Sequence, residues 1–496
     1  MPADPTPRTY GNWRRPRQPG LGPLGLIGTV VMLGGIILSL LVSLVSLNAA
    51  IVTFVLVVLL VAAFALRTAD GRNIFSALGV RMGWSLRRSK GSHIYVSGPL
   101  SQRPGGRFAP PGLLAKVAML ETQDPSGRRA GVLHHRGRNL YTLVLVCEAE
   151  GISLVDSTQV DRWVGAWGGW LARLSQEPGL RGAAVVVETT PESGVRLAAE
   201  VLPRIVDEAP PLSRAVLEEV VNTNPVTASE TKVYVTLTYQ PPRARQRPEA
   251  VAEQLAERIP SLAAGLVGAG TTAVRPLSAV GIAESVRSAF DPTVASRIAA
   301  AQEDGGDTGL EWTDAGPAVA LETPDHYEHD ASYSRSWLLS LAPRGAVYSS
   351  VLRELLLPTQ DIRRKRIALF YRPVPQATAA RLVEADRRAA LFRASSNGKK
   401  QMNARAQAEL VAAEQTAQEE ASGAGLVEFS IMATVTVDTE MQLTHAESLI
   451  DEQQASARIQ LRPARRTQAA AFTCTLPVGL LPWELTLMPQ QIREAL

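Results

Sequence analysis

Closely spaced histidine and carboxylate side chains are the residues of this sequence that could bind a metal ion. They lie in one segment, Asp325-His326-Tyr327-Glu328-His329-Asp330, and metal sites do combine imidazole and carboxylate ligands at short spacing. The spacing here is His-x-x-His, not the His-Glu-x-x-His of zinc proteases, and the other histidines form no second cluster. We therefore favour the polar start of a helix over a metal centre, and interpret His134-His135 as a polar turn.

Two glycine-rich segments resemble nucleotide-binding motifs but lack the structural context that those motifs require. Gly20–Gly25 reads G-x-G-x-x-G, yet it runs into an apolar segment and does not join a strand to a helix that binds pyrophosphate. Gly398-Lys399-Lys400 ends a P-loop-like run in which Arg393 stands where the first glycine belongs, so the amide cradle for phosphate is missing. The sequence therefore predicts no catalytic residue, no cofactor and no metal.

Three tryptophans could form a surface for a partner protein. Trp163, Trp167 and Trp170 recur at i, i+4 and i+7, which places them on one face of a predicted helix. A helix face that packs on the core is the simpler interpretation, and a partner-binding face is the alternative.

A basic run offers a second candidate surface. Arg363, Arg364 and Arg366 could contact phosphate, but no aromatic residues alternate with them, and a solvated or partner-facing surface is the commoner role. We keep these arginines as partner-face candidates and expect no direct nucleic-acid binding.

A long uncharged segment near the N-terminus precedes all of these candidate residues except those of the first glycine-rich motif. From Pro19 to Leu66 the chain carries no charged residue over 48 positions, enough for two membrane helices of about 20 residues each. The helices are predicted over about Leu24–Leu47 and Ala49–Leu66, with Asn48 at the turn. A signal peptide has a single apolar core of about 7–15 residues and fits less well. The sequence predicts a transmembrane helical hairpin.

Small residues at four-residue spacing mark one face of the first predicted helix. Gly35, Ser39 and Ser43 let another helix approach closely. The second helix of the hairpin is the favoured neighbour, and a partner's helix is the alternative. Neither helix contains an ionisable residue, which an ion or proton pathway normally needs, so the hairpin is interpreted as an anchor in the lipid bilayer.

The distribution of charge gives the orientation of this hairpin. The formal net charge is +4 and the pI about 9.1. Residues 1–90 hold ten Lys or Arg against two acids, which leaves 41 against 45 for residues 91–496. Because basic residues flank the hairpin on both sides, the positive-inside rule predicts a two-pass protein of the cell membrane with both termini cytoplasmic. The two cysteines, Cys147 and Cys474, exclude a disulfide framework, and Cys147 is interpreted as a core residue.

The rest of the chain predicts an α+β region of about two units, at least one of them ferredoxin-like or open-sheet. Strand–helix–strand–helix–strand order in the second unit favours that fold. Helices are expected after Thr190-Pro191, around Ala279–Phe290 and around Ala346–Leu357. Alternation of apolar and polar residues predicts strands over Lys232–Tyr239 and Phe429–Val437. The predicted divisions are a basic cytoplasmic N-terminal segment over 1–23, the hairpin over 24–66, a juxtamembrane linker over 67–112, unit 1 over 113–290, a linker over 291–316, and unit 2 over 317–496 with a long helical hairpin near 377–421.

Several longer motifs resemble a family of actinobacterial membrane proteins found with conjugation-type gene clusters. They are RTYGNWRRP at 8–16, GSHIY at 91–95, WGGWL at 167–171, APRGAVYSS at 342–350 and RRKRIALFYRP at 363–373. The N-terminal hairpin is similar to PrgI-type membrane components of type IV secretion. The remainder resembles the N-terminal, non-ATPase region of VirB/TrbE-type secretion ATPases, without their motor domain.

The resemblance implies a membrane-anchored scaffold of a type IV secretion-like, conjugative transfer machine. Its partners would be a separate secretion motor ATPase and polytopic channel subunits, and an oligomeric state is compatible with that role. A type VII secretion component resembling EccE is the first alternative, and a membrane-tethered enzyme is the second. The cargo, DNA or protein, is left open.

Overall fold

The protein was analysed as a computed structural model. It describes residues 9–11, 24–66, 74–99, 101, 107–151, 155–191, 194–206, 208–227, 229–241, 246–303, 308–343, 345–359, 362–396 and 404–485. The chain divides into two compact units. The sheet unit comprises residues 1–12, 94–464 and 468–481, and the hairpin unit comprises residues 13–93, 465–467 and 482–496.

Strands and helices alternate along the described residues. The strands are β1 Thr9–Tyr10, β2 Ile94–Val96, β3 Val117–Gln123, β4 Arg129–His135, β5 Leu140–Ala149, β6 Leu180–Pro191, β7 Ser229–Tyr239, β8 Thr271–Pro276, β9 Val319–Glu322, β10 Tyr327–His329, β11 Ser332–Leu341, β12 Val347–Tyr348, β13 Arg364–Pro373, β14 Val427–Val437 and β15 Gln460–Pro463. The helices are α1 Gly25–Ser43, α2 Leu47–Ala65, α3 Ile74–Ser89, α4 Ser157–Leu174, α5 Val195–Val201, α6 Pro211–Thr227, α7 Pro248–Ala256, α8 Ile259–Val267, α9 Ala279–Phe290, α10 Ala295–Glu303, α11 Arg353–Leu356, α12 Gln376–Ser396, α13 Ala404–Ala421, α14 Glu440–Ser456, α15 Gln468–Cys474 and α16 Pro482–Leu485.

The hairpin unit is built on two apolar helices, α1 and α2, which pack on each other. A short turn joins them, and the Ser46 hydroxyl caps α2 by accepting a hydrogen bond from the backbone N–H of Ala49. Within the described residues, Leu47–Phe64 is long and apolar enough to cross a membrane, and Gly28–Ser43 is a shorter apolar stretch. The predicted two-pass topology is thus still a prediction.

The described part of the sheet unit contains an open antiparallel sheet of thirteen strands. Its order is β2-β9-β10-β11-β14-β13-β6-β7-β5-β4-β3, with β15 paired to β11 and β8 paired to β5. The predicted α+β class with a large open sheet is confirmed. The two predicted cytoplasmic units share this one sheet, because β6 of the first pairs with β13 of the second over seven residue pairs.

The sheet contains the same arrangement twice. The first half runs β3-β4-β5-β7-β6 with β8 on β5, and the second runs β9-β10-β11-β14-β13 with β15 on β11. In each half the last four strands and their helices follow the order β-α-β-β-α-β, which defines a ferredoxin-like module. Each module also carries a helical insertion between its second and third strands, α5–α6 in the first half and α12–α13 in the second.

The strand registers show how closely the halves correspond. Thr142 lies opposite Thr238 in the first half, and Ser334 lies opposite Thr436 at the equivalent place in the second. At the junction of the halves, Val186 pairs with Ala368. Val186 and Ala368 occupy equivalent positions in the two halves. Three residues away on one side Thr189 pairs with Lys365, and three residues away on the other side Ala183 pairs with Tyr371. The two halves are therefore related by a local two-fold axis through the Val186–Ala368 pair.

The two faces of the sheet differ in chemistry because side chains alternate along each strand. One face is apolar and is covered by α4, α7 and α8 in the first half and by α11 and α14 in the second. Burial of a leucine or valine side chain in these cores contributes about 1.5–3 kcal/mol. The opposite face carries buried hydroxyl and charged groups, namely Thr142, Glu188, Thr236, Thr238, Ser334, Ser336, Arg364, Arg366, Thr434 and Thr436.

Local predictions failed where tertiary pairing overrode local signals. Thr190 and Pro191 do not begin a helix, because both extend β6 and pair with β7. The helix expected around Ala346–Leu357 is largely strand β12 and a turn, with only the four-residue α11 at its end, since Val347 pairs with Tyr10.

The two predicted linkers also contain regular structure. The juxtamembrane linker includes α3, a helix of sixteen residues. The segment over 291–316 includes α10 and two short 3₁₀ helices. The helical hairpin predicted near 377–421 corresponds to α12 and α13, which pack on each other, and residues 397–403 between them lie outside the described residues.

Candidate functional site

The three membrane-packing candidates, Gly35, Ser39 and Ser43, lie on α1 and have different surroundings. A Cβ added at Gly35 would overlap the side chain of Val57 on α2, so this glycine is what allows the two helices to pack closely. Ser39 is buried, and its hydroxyl donates to the Gly35 carbonyl oxygen at 2.8 Å. Ser43 is exposed and donates to Leu40. Packing of α1 on α2 therefore accounts for Gly35.

The outward sides of α1 and α2 expose large apolar side chains. Leu40 is 64% exposed and Leu59 is 62% exposed, and only 6% of Leu47–Phe64 is buried. A contiguous apolar surface of this kind indicates contact with lipid or another protein. The exposed large apolar residues described on the two helices are Val30, Leu33, Ile36, Ile37, Leu38, Leu40, Leu41, Leu47, Ile51, Val52, Phe54, Val55, Leu56, Val58, Leu59 and Leu60.

The tryptophan face of α4 packs on the sheet unit's own core. Trp170 is fully buried, and its indole N–H donates to the Leu262 carbonyl oxygen at 3.2 Å. Trp167 stacks on Trp170 with ring centroids 4.9 Å apart and meets Tyr371 edge-on at 5.6 Å. Trp163 packs beside Gly270. These contacts agree with the core interpretation, and nothing in them requires a partner.

The basic run around Arg364 is not a continuous surface. Arg364 and Arg366 are 4% and 1% exposed, because alternate residues of β13 point to the buried polar face of the sheet. The interpretation of these two arginines as a solvated or partner-facing surface is therefore wrong. Arg363 is partly exposed and pairs with Asp438 at 3.1 Å, so it alone stays a partner-face candidate.

Glu188 on β6 is the carboxylate that faces both buried arginines. Arg364 donates to it at 3.0 Å, and an Arg366 nitrogen lies 3.6 Å from its second oxygen. Burial alone would raise the pKa of Glu188, but the two guanidinium groups outweigh burial and lower it. Burial lowers the pKa of Arg366 to about 10, and its guanidinium carbon lies 4.6 Å above the ring of Phe472. Opposite charges thus hold the centre of the sheet.

A cleft of about 390 Å³ opens beside this ion cluster. It lies between the ends of β6, β7 and β13 and the helices α9 and α10, and its volume is in the range of small-molecule sites. Glu284 in its wall accepts hydrogen bonds from Gln302 and Thr308, both at 2.6 Å. The charged residues that line the cleft are Glu188, Glu230, Lys232, Glu284, Arg363 and Arg364.

Two buried histidines occupy equivalent positions in the two halves. His135 Nε2 lies 3.1 Å from the Val478 carbonyl oxygen and 3.2 Å from the Thr142 hydroxyl. Because a carbonyl oxygen can only accept, we assign the proton of the neutral ring to Nε2. Burial lowers the pKa of His135 to about 4, so this side chain is neutral at pH 7.

His329 in the second half repeats the arrangement through its other nitrogen. Its Nδ1 lies 2.5 Å from the Phe290 carbonyl oxygen, and its Nε2 lies 2.7 Å from the Ser334 hydroxyl. Burial lowers its pKa to about 3. Phe290 ends α9, which follows the first half, whereas Val478 follows α15 at the end of the second. The chain that leaves each half therefore bonds the histidine of the other half.

The histidine-rich segment, predicted as the polar start of a helix, instead contains strand β10. His326 directly precedes β10 and His329 is its last residue, and His326 Nε2 lies 3.1 Å from a Glu328 carboxylate oxygen. Within the part of the chain that the structure describes, no three histidine, cysteine or acidic residues are grouped to hold a metal ion. His135 ends β4, not a polar turn. Cys147 is buried in the core as expected, and burial raises its pKa to about 12.

Sequence reasoning missed Glu188 and the two buried histidines. A lone glutamate inside the valine-rich run Ala183–Thr189 is a usable signal, because a charge in a buried strand needs a partner. The adjacent basic run, Arg363–Arg366, is that partner. The pairing of His135 with a carbonyl more than 300 residues away has no local signal.

Comparison with known families covers the hairpin region. Residues 17–76 match DUF8461, a domain of unknown function. A search of curated proteins finds no match.

Proposed function

We propose that this protein is a membrane-anchored structural subunit of a type IV secretion-like, conjugative transfer machine. The exposed apolar surface of α1 and α2 carries this proposal, because it is attached to a large sheet unit that has no need of it for its own core. The flanking basic residues support a two-pass topology with both termini cytoplasmic. The sheet unit then holds a separate motor ATPase at the inner face of the cytoplasmic membrane.

The two helical insertions are the surfaces that suit such docking. On α12, Phe392 is 70% exposed, and Val411 on α13 is 58% exposed. On α6, Leu212 is 77% exposed, with Val216, Leu217 and Val220 exposed beside it. Exposed apolar side chains of this size, grouped on a helix, are typical of protein–protein contacts. We assign the motor to the α12–α13 insertion, where the aromatic anchor lies.

Purification of the tagged full-length chain from native membranes in mild detergent tests this proposal. A conjugation-type motor ATPase and polytopic channel subunits are expected to co-purify. Phe392→Ser should lower recovery of the motor several-fold and leave the amount of anchored chain unchanged. Met441→Ser on α14 is the matched control, because Met441 is also largely exposed but lies outside both insertions.

Two results would overturn the proposal. Recovery with an EccC-type motor and no conjugation ATPase would favour a type VII component resembling EccE. Equal loss of the motor in Phe392→Ser and Met441→Ser would remove the insertion from the contact.

A second candidate function, ligand binding or catalysis in the cleft, is favoured by its volume and by its six charged lining residues. Nucleotide hydrolysis by the purified full-length chain would support it only if Lys232→Ala abolished turnover. Lys232 lies at the cleft and pairs with Glu230 at 3.2 Å. Exposed Lys90→Ala provides the control.

A further inference from the structure

Helix α3 carries an apolar stripe that the described chain leaves uncovered. Ile74, Leu78, Met82 and Leu86 recur at every fourth residue, and their exposed fractions range from 39% to 60%. Residues at this spacing lie above one another on one side of a helix. Single exposed apolar side chains are common in soluble proteins, but a row of four along one helix indicates a contact surface.

Basic residues border this stripe. At about 100° per residue, Arg81 and Arg88 fall along one edge of the stripe, and Lys90 follows the end of the helix. All three are exposed. From Gly71 to Leu120 the sequence contains no aspartate or glutamate. Cationic side chains beside an apolar stripe are typical of helices that lie in a membrane interface, where the cations reach phosphate groups.

The opposite side of α3 is already used for packing. Trp84 is 7% exposed, and its ring meets His93 edge-on at 6.1 Å, with the Arg87 guanidinium 5.5 Å from its centre. Ala77 and Val80 on the same side are half-buried. The helix therefore has one face for the hairpin unit and a separate, unpartnered apolar face.

We propose that α3 lies in the headgroup layer of the membrane, with its apolar stripe in the acyl boundary and its basic residues on anionic lipid phosphates. The inference rests on the proposed membrane anchor. Eight residues, 66–73, separate α2 from α3, and they span at most about 28 Å at ~3.5 Å per residue. A helix tethered so closely to a membrane span stays near the bilayer surface, which makes anionic lipid the occupant that fits both the charge and the tether.

Fluorophore quenching in nanodiscs tests this placement on the full-length chain. An environment-sensitive probe is attached to Leu78→Cys or Met82→Cys, and to Gly83→Cys as the matched site, since Gly83 is exposed on α3 away from the stripe and has no neighbour within 4 Å. A probe at Val55→Cys on α2 reports the anchor itself. Native Cys147 and Cys474 are buried. The parent chain without an added cysteine, treated with the same probe, measures any background labelling at these two positions.

Quenching by acyl-chain spin labels should be about two-fold or more stronger at positions 78 and 82 than at 83 when the nanodisc contains anionic lipid. Arg81→Glu/Arg88→Glu should reduce that difference, and Arg81→Lys/Arg88→Lys should retain it. Strong quenching at 55 with equal, weak quenching at 78, 82 and 83 would overturn the interfacial placement and leave the anchor intact. Absence of quenching at 55 would overturn the anchor.

Discussion

The two halves of the sheet build the same hydrogen-bond network from different residues. In the first half His135 is hydrogen-bonded to the Thr142 hydroxyl, which is hydrogen-bonded to the Thr238 hydroxyl. In the second half His329 is hydrogen-bonded to the Ser334 hydroxyl, which is hydrogen-bonded to the Thr436 hydroxyl. The chemistry persists although the sequences around it differ. A buried polar group must keep a partner, which explains why hydroxyl follows histidine in both halves.

The halves differ at the local axis between β6 and β13. On one side of Val186–Ala368, Glu188 faces Arg366; on the other, Ala184 faces Phe370. An ion cluster thus stands where its equivalent is an apolar pair, and a cleft opens beside the ions. The junction of the halves therefore combines a packed apolar pair on one side with an ion cluster and a polar cleft on the other.

The largest expected effect comes from removing the charge at this junction. Glu188→Gln leaves Arg366 and Arg364 buried without a counter-charge, and should lower the free energy of unfolding by about 3–5 kcal/mol. Urea unfolding of the detergent-solubilised chain, followed by tryptophan fluorescence, measures it. The partly exposed pair Arg372–Glu428 is the control, where Glu428→Gln should cost about 0–1 kcal/mol.

A second variant replaces the ion cluster by the residues of the equivalent apolar pair, Ala184 and Phe370. Glu188→Phe/Arg366→Ala/Arg364→Met replaces the whole ion cluster, so most of the stability lost in Glu188→Gln should return, because apolar replacements of buried ion clusters are often neutral. A triple variant as unstable as Glu188→Gln would show that the two sides are not interchangeable.

The next largest effect concerns the segment that crosses from the second half to the first. Gly479 has φ +65°, and a Cβ there would lie 2.5 Å from the hydroxyls of Thr142 and Thr238. Gly479→Ala should cost about 2–4 kcal/mol, from overpacking and from backbone strain. Gly423 also has a positive φ but no neighbour within 4 Å, so Gly423→Ala measures strain alone. Equal urea midpoints for the two variants would contradict the crossing contact.

A smaller effect, taken over one pH unit and for each histidine, is the dependence of the free energy of unfolding on pH through His135 and His329. Burial lowers the pKa of His135 to about 4 and of His329 to about 3, below the ordinary ~6.5. Between those values the unfolded chain binds protons that the folded chain does not. The free energy of unfolding should therefore fall as pH drops from 7 toward 4, by up to about 1.4 kcal/mol per pH unit for each histidine.

Single variants decide whether the halves share this pH dependence. His135→Gln and His329→Gln should each flatten the fall of the urea midpoint between pH 6 and pH 5 by a similar amount. A flattening confined to one variant would break the equivalence of the two networks. Exposed His445→Gln controls for the loss of one imidazole.

The smallest expected effect on stability lies in the helical insertions. Leu212→Ser on α6 and Phe392→Ser on α12 each replace an exposed side chain and should change the free energy of unfolding by no more than about 0.5 kcal/mol. They differ in binding, since only Phe392→Ser should weaken capture of the motor. Loss of the motor in both variants would assign the contact to both insertions.

Strong local patterns predicted much of the fold. Alternation over Phe429–Val437 and Lys232–Tyr239 marked β14 and β7, and Ala279–Phe290 was predicted as a helix with the bounds that α9 has. The edge-side strands β3, β4, β9 and β10 were missed, because their stability comes from pairing and their residues show mixed burial. The duplication was also invisible at a period of 20–50 residues, since its repeat is far longer.

The candidate site was less accessible from sequence. Gly35 was identified from the four-residue spacing of small residues along α1, because this spacing is typical of closely packed helices. Arg364 and Arg366 were placed on a surface because a basic run usually is solvated; only the neighbouring strand, with Glu188, shows that they are buried. Likewise α3 lacks a long apolar run, and its stripe becomes visible when exposure separates Met82 from Trp84.

Cysteine labelling in intact cells tests the central claim, a two-pass anchor, most directly. A membrane-impermeant maleimide is applied to chains that carry Asn48→Cys at the turn between α1 and α2, or Ala3→Cys near the N-terminus. Position 48 should be labelled from outside the cytoplasmic membrane, and position 3 should be labelled only after the membrane is permeabilised. Labelling of position 3 without permeabilisation, or of position 48 only after it, would contradict the anchor as proposed.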